Sequence, residues 1–210
     1  NPACTSIRRN PATGNLFGNV GTTPGLPLVL TNQGQIFTDG IDLVANYSTD
    51  LGFAGLDLGF FGNWTNRSRF KANQDDPASL NRECVGYYSI NCASIQPEFS
   101  FTQRTTLSFD QVDLSLRWRF IDAVEVEPLV ADAFLEDFRT IPSEHYFDLT
   151  AVFNVTDSFA LTAAVINLFD NEPKVVGSNI GSTAYNSGNV FPSTYDALGR
   201  RYSVTARMTF

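Results

Sequence analysis

The segment VDLSLRWRF sets Val112, Leu114, Leu116, Trp118 and Phe120 in strict alternation with Asp113, Ser115, Arg117 and Arg119. A period of two puts successive side chains on opposite faces of a β-strand, so this segment must separate an apolar medium from a wet one. Six further segments repeat the pattern. In GIDLVANYS, Ile41, Leu43, Ala45 and Tyr47 oppose Asp42, Asn46 and Ser48; in GLDLGFFGNW, Leu56, Leu58, Phe60 and Trp64 oppose Asp57 and Asn63. FTQRTTLSF sets Phe101, Leu107 and Phe109 against Arg104 and Ser108, and YFDLTAVFNV sets Phe147, Leu149, Ala151 and Phe153 against Asp148, Thr150 and Asn154. FALTAAVINLF places Phe159, Leu161, Ala163 and Val165 on one side and a mildly polar set on the other. RRYSVTARMTF alternates Tyr202, Val204, Ala206, Met208 and Phe210 with Ser203, Thr205, Arg207 and Thr209.

The connections are of two kinds. Short links at 49–54, 110–111 and 156–158 alternate with long ones at 67–98, 121–144 and 170–198. Long structureless loops are out of place in a compact soluble domain, whereas transmembrane β-barrels pair short periplasmic turns with long outer loops. With Phe210 at the periplasmic end, counting strands backward puts every short link on the periplasmic side and every long loop outside. Trp64, Trp118 and Phe120 then fall at outer strand ends, and Tyr47, Phe153 and Phe210 at inner ends, where aromatic girdles sit. A soluble β-sandwich also alternates. It accounts neither for the loop asymmetry nor for Arg and Asp standing opposite uninterrupted apolar stripes.

Composition agrees with that reading. Hydrophobic residues make up 43% of the chain, with 18 Phe against a single Met and only 17% charged residues. No apolar run approaches the roughly 18 residues of a membrane-spanning helix. Acidic residues outnumber basic ones 22 to 14 and the net charge is −8, which excludes the concentrated basic surface that nucleic acid requires. The opening NPACTSIRRNPATG lacks the basic region and apolar core of a signal peptide, so a leader removed or a chain beginning mid-protein is expected. Of three cysteines, Cys84 and Cys92 share the polar stretch RECVGYYSINC, and a local disulfide formed in an oxidising compartment is expected there. Cys4 is left odd, which points to a partner outside the chain.

Two late segments, VINLFDNEPKVV (Val165 to Val176) and YDALGRRYSVTARMTF (Tyr195 to Phe210), resemble the C-terminal end of TonB-dependent outer-membrane receptors. GIDLVANY and LSLRWRFID resemble other strands of the same family. The resemblance extends over most of residues 36–210, while residues 1–35 match loosely and are expected to be an outer loop leading into the first strand. It implies a Gram-negative outer-membrane barrel of about 22 strands, of which the seven read here would be the C-terminal part. It also implies a plug domain and a coupling peptide, neither visible in this sequence. The implied partners are membrane lipid, the inner-membrane TonB energy-coupling complex, a nutrient ligand and the barrel-assembly machinery, to which the strand ending in Phe210 is a signal. No cofactor is implied.

No catalytic constellation emerges from the residues. The lone His145 in SEHYFD has no reason to meet Ser143 or Asp148 in triad geometry, and QDDP at 74–77 reads as a solvated turn more readily than a calcium cage, which needs six or more oxygens. Asp42, Asp57, Arg104, Asp113, Arg117, Arg119, Asp148 and Arg207 belong on the lumen face, because Arg on the lipid face would cost about 2 to 4 kcal/mol at mid-depth. They are expected to form a cross-strand ion-pair lattice. Phe70, Tyr87 and Tyr88 in the first long loop, and Tyr185, Phe191 and Tyr195 in the last, are candidate ligand-contacting aromatics. The expected function is energy-coupled uptake of a scarce large nutrient such as a ferric siderophore, cobalamin or an oligosaccharide. A passive substrate-specific porin is the alternative, and an outer-membrane enzyme or a soluble lectin-like module is a third reading.

Overall fold

The computed structural model describes residues 7–17, 34–73, 81–89, 91–92, 95–177 and 189–209. Residues 7–17 belong to a separate small unit, in which the Asn10 side chain accepts hydrogen bonds from the Ala12 and Thr13 amides at 2.8 and 3.1 Å and nucleates a tight turn. Cys4 and Phe210 lie outside the described residues.

The larger unit begins at Gly34. Its strands are β1 (Gln35–Asp50), β2 (Gly55–Lys71), β3 (Asn81–Glu83), β4 (Tyr87–Tyr88), β5 (Phe99–Ser108), β6 (Val112–Ile121), β7 (Val124–Val126), β8 (Thr140–Ile141), β9 (Glu144–Thr156), β10 (Phe159–Ile166) and β11 (Arg201–Met208). Seven form one antiparallel meander in the order β1-β2-β5-β6-β9-β10-β11, with β3 added to the end of β2. These are the seven strands the alternation predicts. β1 and β2, β5 and β6, and β9 and β10 pair as hairpins because the links between them are too brief for anything else, and β2 with β5, β6 with β9 and β10 with β11 pair across the long connections.

The register carries one apolar row from strand to strand. Leu116 of β6 lies opposite Thr105 and Leu149, Trp118 opposite Gln103 and Phe147, and Leu114 opposite Leu107 and Ala151. The row runs on through Val165 to Tyr202 and through Ala163 to Val204, and back through Phe60 to Ala45. A slip of one residue would put every charge of the other face into this row, so the pattern itself fixes the register.

One irregularity breaks it. Asp39 pairs with Arg67 but Gly40 with Thr65, so Asn66 is an extra residue in β2. The close approach explains the glycine, since a methyl on Gly40 would collide with the Trp64 carbonyl. β1 and β2, at 16 and 17 residues, are longer than the roughly 9–11 that cross a bilayer. The excess lies beyond the bulge.

The long connections are not structureless, contrary to the sequence expectation. β4, β7 and β8 form a second three-stranded sheet. Around it, residues from all three long connections close a hydrophobic core of Tyr88, Ile95, Val124, Val126, Ile141, Val176, Phe191 and Tyr195. Strands of two or three residues cannot hold an apolar face alone; here they survive because three loops cover them together.

Candidate functional site: two faces and a folded loop body

The apolar row is exposed: Leu43 is 58% accessible, Leu116 38% and Val204 71%. A contiguous apolar face across seven strands is far larger than the patches soluble monomers leave open. Toward the long-loop end it turns aromatic. Phe101 stacks on Phe120 at 5.1 Å and meets Trp118 edge-on at 4.8 Å, and Trp118 stacks on Phe147 at 5.6 Å. The indole N–H groups point to polar partners, Trp118 donating to His145 Nδ1 at 3.1 Å and Trp64 to Glu98 Oε1 at 3.2 Å. His145 thus belongs to the aromatic band, with its ring against Trp118 and Phe120. Past the bulge the same face becomes charged, with Arg67 beside Asp39 at 3.6 Å and Arg69 on Glu83 at 2.9 Å. Burial raises the Glu83 carboxyl, but the Ser68 amide and Arg69 outweigh it and hold the group below its usual range. Apolar rows, an aromatic band and then charge is the profile of a hydrocarbon, interface and water sequence.

The eight charged residues singled out in the sequence share the opposite face by register. Only three of them meet. Asp148, 4% exposed, accepts from Arg117 Nε at 2.7 Å and Nη2 at 2.6 Å and lies 3.4 Å from Arg119 Nε. Asp42 is bound by Asn63 at 2.7 Å, Asp57 by Ser48 at 2.5 Å, and Arg104 donates to Ser115 at 3.2 Å. Asp113 and Arg207 face Ser108 and Ala160 across the strands. The expected lattice is therefore a single knot at the outer end of β6 and β9, with isolated polar pairs elsewhere.

That knot continues into residues the charge pattern does not single out. The Asn167 amide donates to Asp148 Oδ1 at 2.9 Å, and Asn167 and Asn171 exchange two hydrogen bonds of 2.9 Å. Asn171 also donates to Glu144 at 2.5 Å. Asn167 (φ 54°) and Asp170 (φ 58°) are left-handed, a conformation that Asn and Asp tolerate best among residues other than glycine. Asp170 receives the Arg200 amide at 2.7 Å, and Gly199 (φ 69°) is required because its Cβ would stand 2.9 Å from that carboxylate. Asp196 takes both terminal nitrogens of Arg201, at 2.7 and 3.1 Å, and lies 3.6 Å from Arg119. Burial pushes the Asp196 carboxyl up, but Arg201, the Leu198 amide and Arg119 outweigh it and the group is lowered. The segments NLFDN and YDALGRR are therefore a polar lock that ties β6, β9, β10 and β11 at one end.

In the loop body Cys84 and Cys92 form a disulfide, as expected. Beside it the buried Glu127 pairs with Arg82 and accepts from Asn91 Nδ2 at 2.8 Å. Tyr88 is fully buried and donates to the Phe138 carbonyl at 2.6 Å; burial, then Glu125, pushes its hydroxyl up to about 12. Burial, then Glu144, Tyr146 and Tyr88, raises Tyr195. Tyr88, Phe191 and Tyr195 thus pack the loop core instead of standing free in the loops. Phe70 and Tyr87 stay half-buried, and Tyr185 lies outside the described residues. Phe70 lines a cavity of about 370 Å³ together with Ile36, Thr38, Cys84, Asn91 and Cys92. A larger hollow of about 580 Å³ lies among the short turns, walled by Asp50, Phe53, Asp57, Phe109 and Asp110. The first is the better ligand candidate, because an aromatic and an amide converge on it.

An exposed apolar face, an aromatic band, a polar opposite face and long loops gathered at one end together have the pattern of a piece of transmembrane β-barrel wall. Among solved structures, two variants of the ferric enterobactin receptor PfeA from Pseudomonas aeruginosa match with TM-scores of 0.54 and 0.52. Each is 12% identical, over 83% of this chain and 22% of the receptor. The ferric-catecholate import receptor Fiu from E. coli K12, in its closed form, is more loosely similar, with a TM-score of 0.42 and 15% identity over 80% of this chain and 27% of its own. No family profile and no curated protein matches the sequence. The chain has the fold of a stretch of receptor barrel, and it spans about a fifth of the length of the PfeA chains it matches.

Proposed function

We propose that the chain is part of a TonB-dependent outer-membrane receptor that takes up a scarce large nutrient, a ferric siderophore foremost. In this reading residues 36–210 are the C-terminal strands of the barrel and residues 1–35 an outer loop leading into them. The apolar row faces lipid, the polar face lines the interior, and the loop body stands at the cell surface beside the cavity at Phe70. TonB supplies the energy, and the strand that ends in Phe210 takes part in assembly. The observation that carries the reading is the largely apolar row itself, which runs through all seven strands, interrupted in β5 by Gln103 and Thr105, while the Arg and Asp residues stand at alternate positions. The likeness to PfeA supports the choice of a ferric siderophore.

The test is uptake of a radiolabelled ferric catecholate by cells that carry or lack the full-length protein, with and without collapse of the proton-motive force. Uptake should require both the protein and the energised membrane. Uptake that needs the protein but survives de-energising would make it a passive porin, and uptake indifferent to the protein would remove the siderophore assignment.

A further inference from the structure

Arg104 of β5 lies directly opposite Arg117 of β6, with Gly59 of β2 on its other side. Like charges directly across a ladder repel, and of this pair only Arg117 has a carboxylate, Asp148, to offset it. Among the described residues no carboxylate comes within 4.0 Å of Arg104, whose side chain only donates to Ser115. Asp57, diagonal to it, is bound by Ser48. On this face Arg117, Arg119 and Arg201 pair with Asp148 and Asp196, and Arg104 is left outside that knot. Glu144, farther toward the outer end, is bound by Asn171. Arg117 spends Nε and Nη2 on Asp148 and keeps Nη1.

The surroundings make room for a guest. Gly59 brings no side chain, and a methyl there would meet Asn46 Oδ1 at 3.4 Å, so the floor beside Arg104 is backbone and amide. Thr106 donates to Ser115 at 3.2 Å, so hydroxyls flank the guanidinium. We propose that Arg104 and Arg117, with Gly59 as the floor, form a seat for an oxyanion of carboxylate or phosphate type, which the planar fork of arginine matches in two-point contact. The seat rests on the reading of this face as the barrel interior. Its occupant is either a free solute or a carboxylate of a protein segment seated there.

The full-length protein in detergent is melted in rising sodium sulfate against chloride of equal ionic strength, alongside Arg104→Ser and Arg104→Lys. A free-solute seat gives a saturable sulfate-dependent rise in midpoint, weakened about tenfold or more in Arg104→Ser. The general salting effect of sulfate does not saturate and remains in the variant. A seat filled by a protein carboxylate gives no saturable rise, but Arg104→Ser lowers the midpoint and Arg104→Lys recovers part of it. The proposal is overturned if there is no saturable rise and Arg104→Ser leaves the midpoint unchanged or raises it. Labelling keeps the two readings apart: Arg104→Cys should react with a membrane-impermeant cationic thiosulfonate and Leu116→Cys should not. The reverse would sink the face assignment, whatever the melting shows.

Discussion

Leu116→Arg places a charge in the middle of the apolar row. Leu116 stands four residues from both Val112 and Phe120, at or near the two ends of its strand. At about 3.3 Å per residue and a tilt of about 40°, it lies roughly 10 Å from either interface, well inside the hydrocarbon. Arginine there costs about 2–4 kcal/mol. A loss of about 3 kcal/mol lowers the folding equilibrium by roughly a hundredfold. Thr205→Arg is the control, since Thr205 lies opposite Thr162 on the polar face and an arginine there keeps its water, at a cost under about 1 kcal/mol. Reversible urea unfolding in lipid vesicles, followed by the fluorescence of Trp64 and Trp118, measures both. Equal losses, or a larger loss at Thr205, would refute the assignment of faces.

Three further outcomes follow from the loop body and the lock. Reducing the Cys84–Cys92 bond opens a loop of eight-residue separation, which should weaken the loop body by about 2.5 kcal/mol and appear as faster proteolysis between residues 81 and 96; an unchanged cleavage rate would show that the core alone holds it. Asp196 has a lowered folded pKa, so its contribution is complete above the unfolded value near 3.9 and is lost as pH falls through the lower folded value. Stability should therefore drop below about pH 4 in the parent and drop less in Asp196→Asn, as read by midpoints across an acid series. The buried Tyr195 hydroxyl has no hydrogen-bond partner among the described residues, so Tyr195→Phe should be neutral or stabilising by up to about 1 kcal/mol; a clear loss in the same melts would reveal a partner for that oxygen.

Some of this molecule is legible in its sequence because the physics is local. The strands from Val112 and from Phe147 declare themselves through a period of two, and the short links through their length. The bulge at Asn66 is silent, because it arises from how β2 meets β1 rather than from any residue preference. The loop sheet is silent for another reason: Tyr87–Tyr88 and Thr140–Ile141 are too short to show a period, and their stability comes from Val176 and Phe191, far along the chain. That is why Tyr88, Phe191 and Tyr195 look like free loop aromatics until the fold buries them. The knot is half legible. Arg117, Arg119 and Asp148 stand out as charges opposite apolar rows, whereas Asn167, Asn171 and Asp196 stand out only as parts of a motif. Their task, holding left-handed turns and orphan amides, depends on the positions of β9 and β11.

The central claim is that these strands divide lipid from water, residue by residue. Spin labels placed singly at each position from 112 to 120 in the full-length protein, reconstituted in vesicles, measure it through their accessibility to oxygen and to a water-soluble nickel chelate. Positions 112, 114, 116, 118 and 120 should be open to oxygen and closed to nickel, with 113, 115, 117 and 119 showing the reverse. Accessibilities that rise and fall together, or nickel reaching all nine positions alike, would contradict the account.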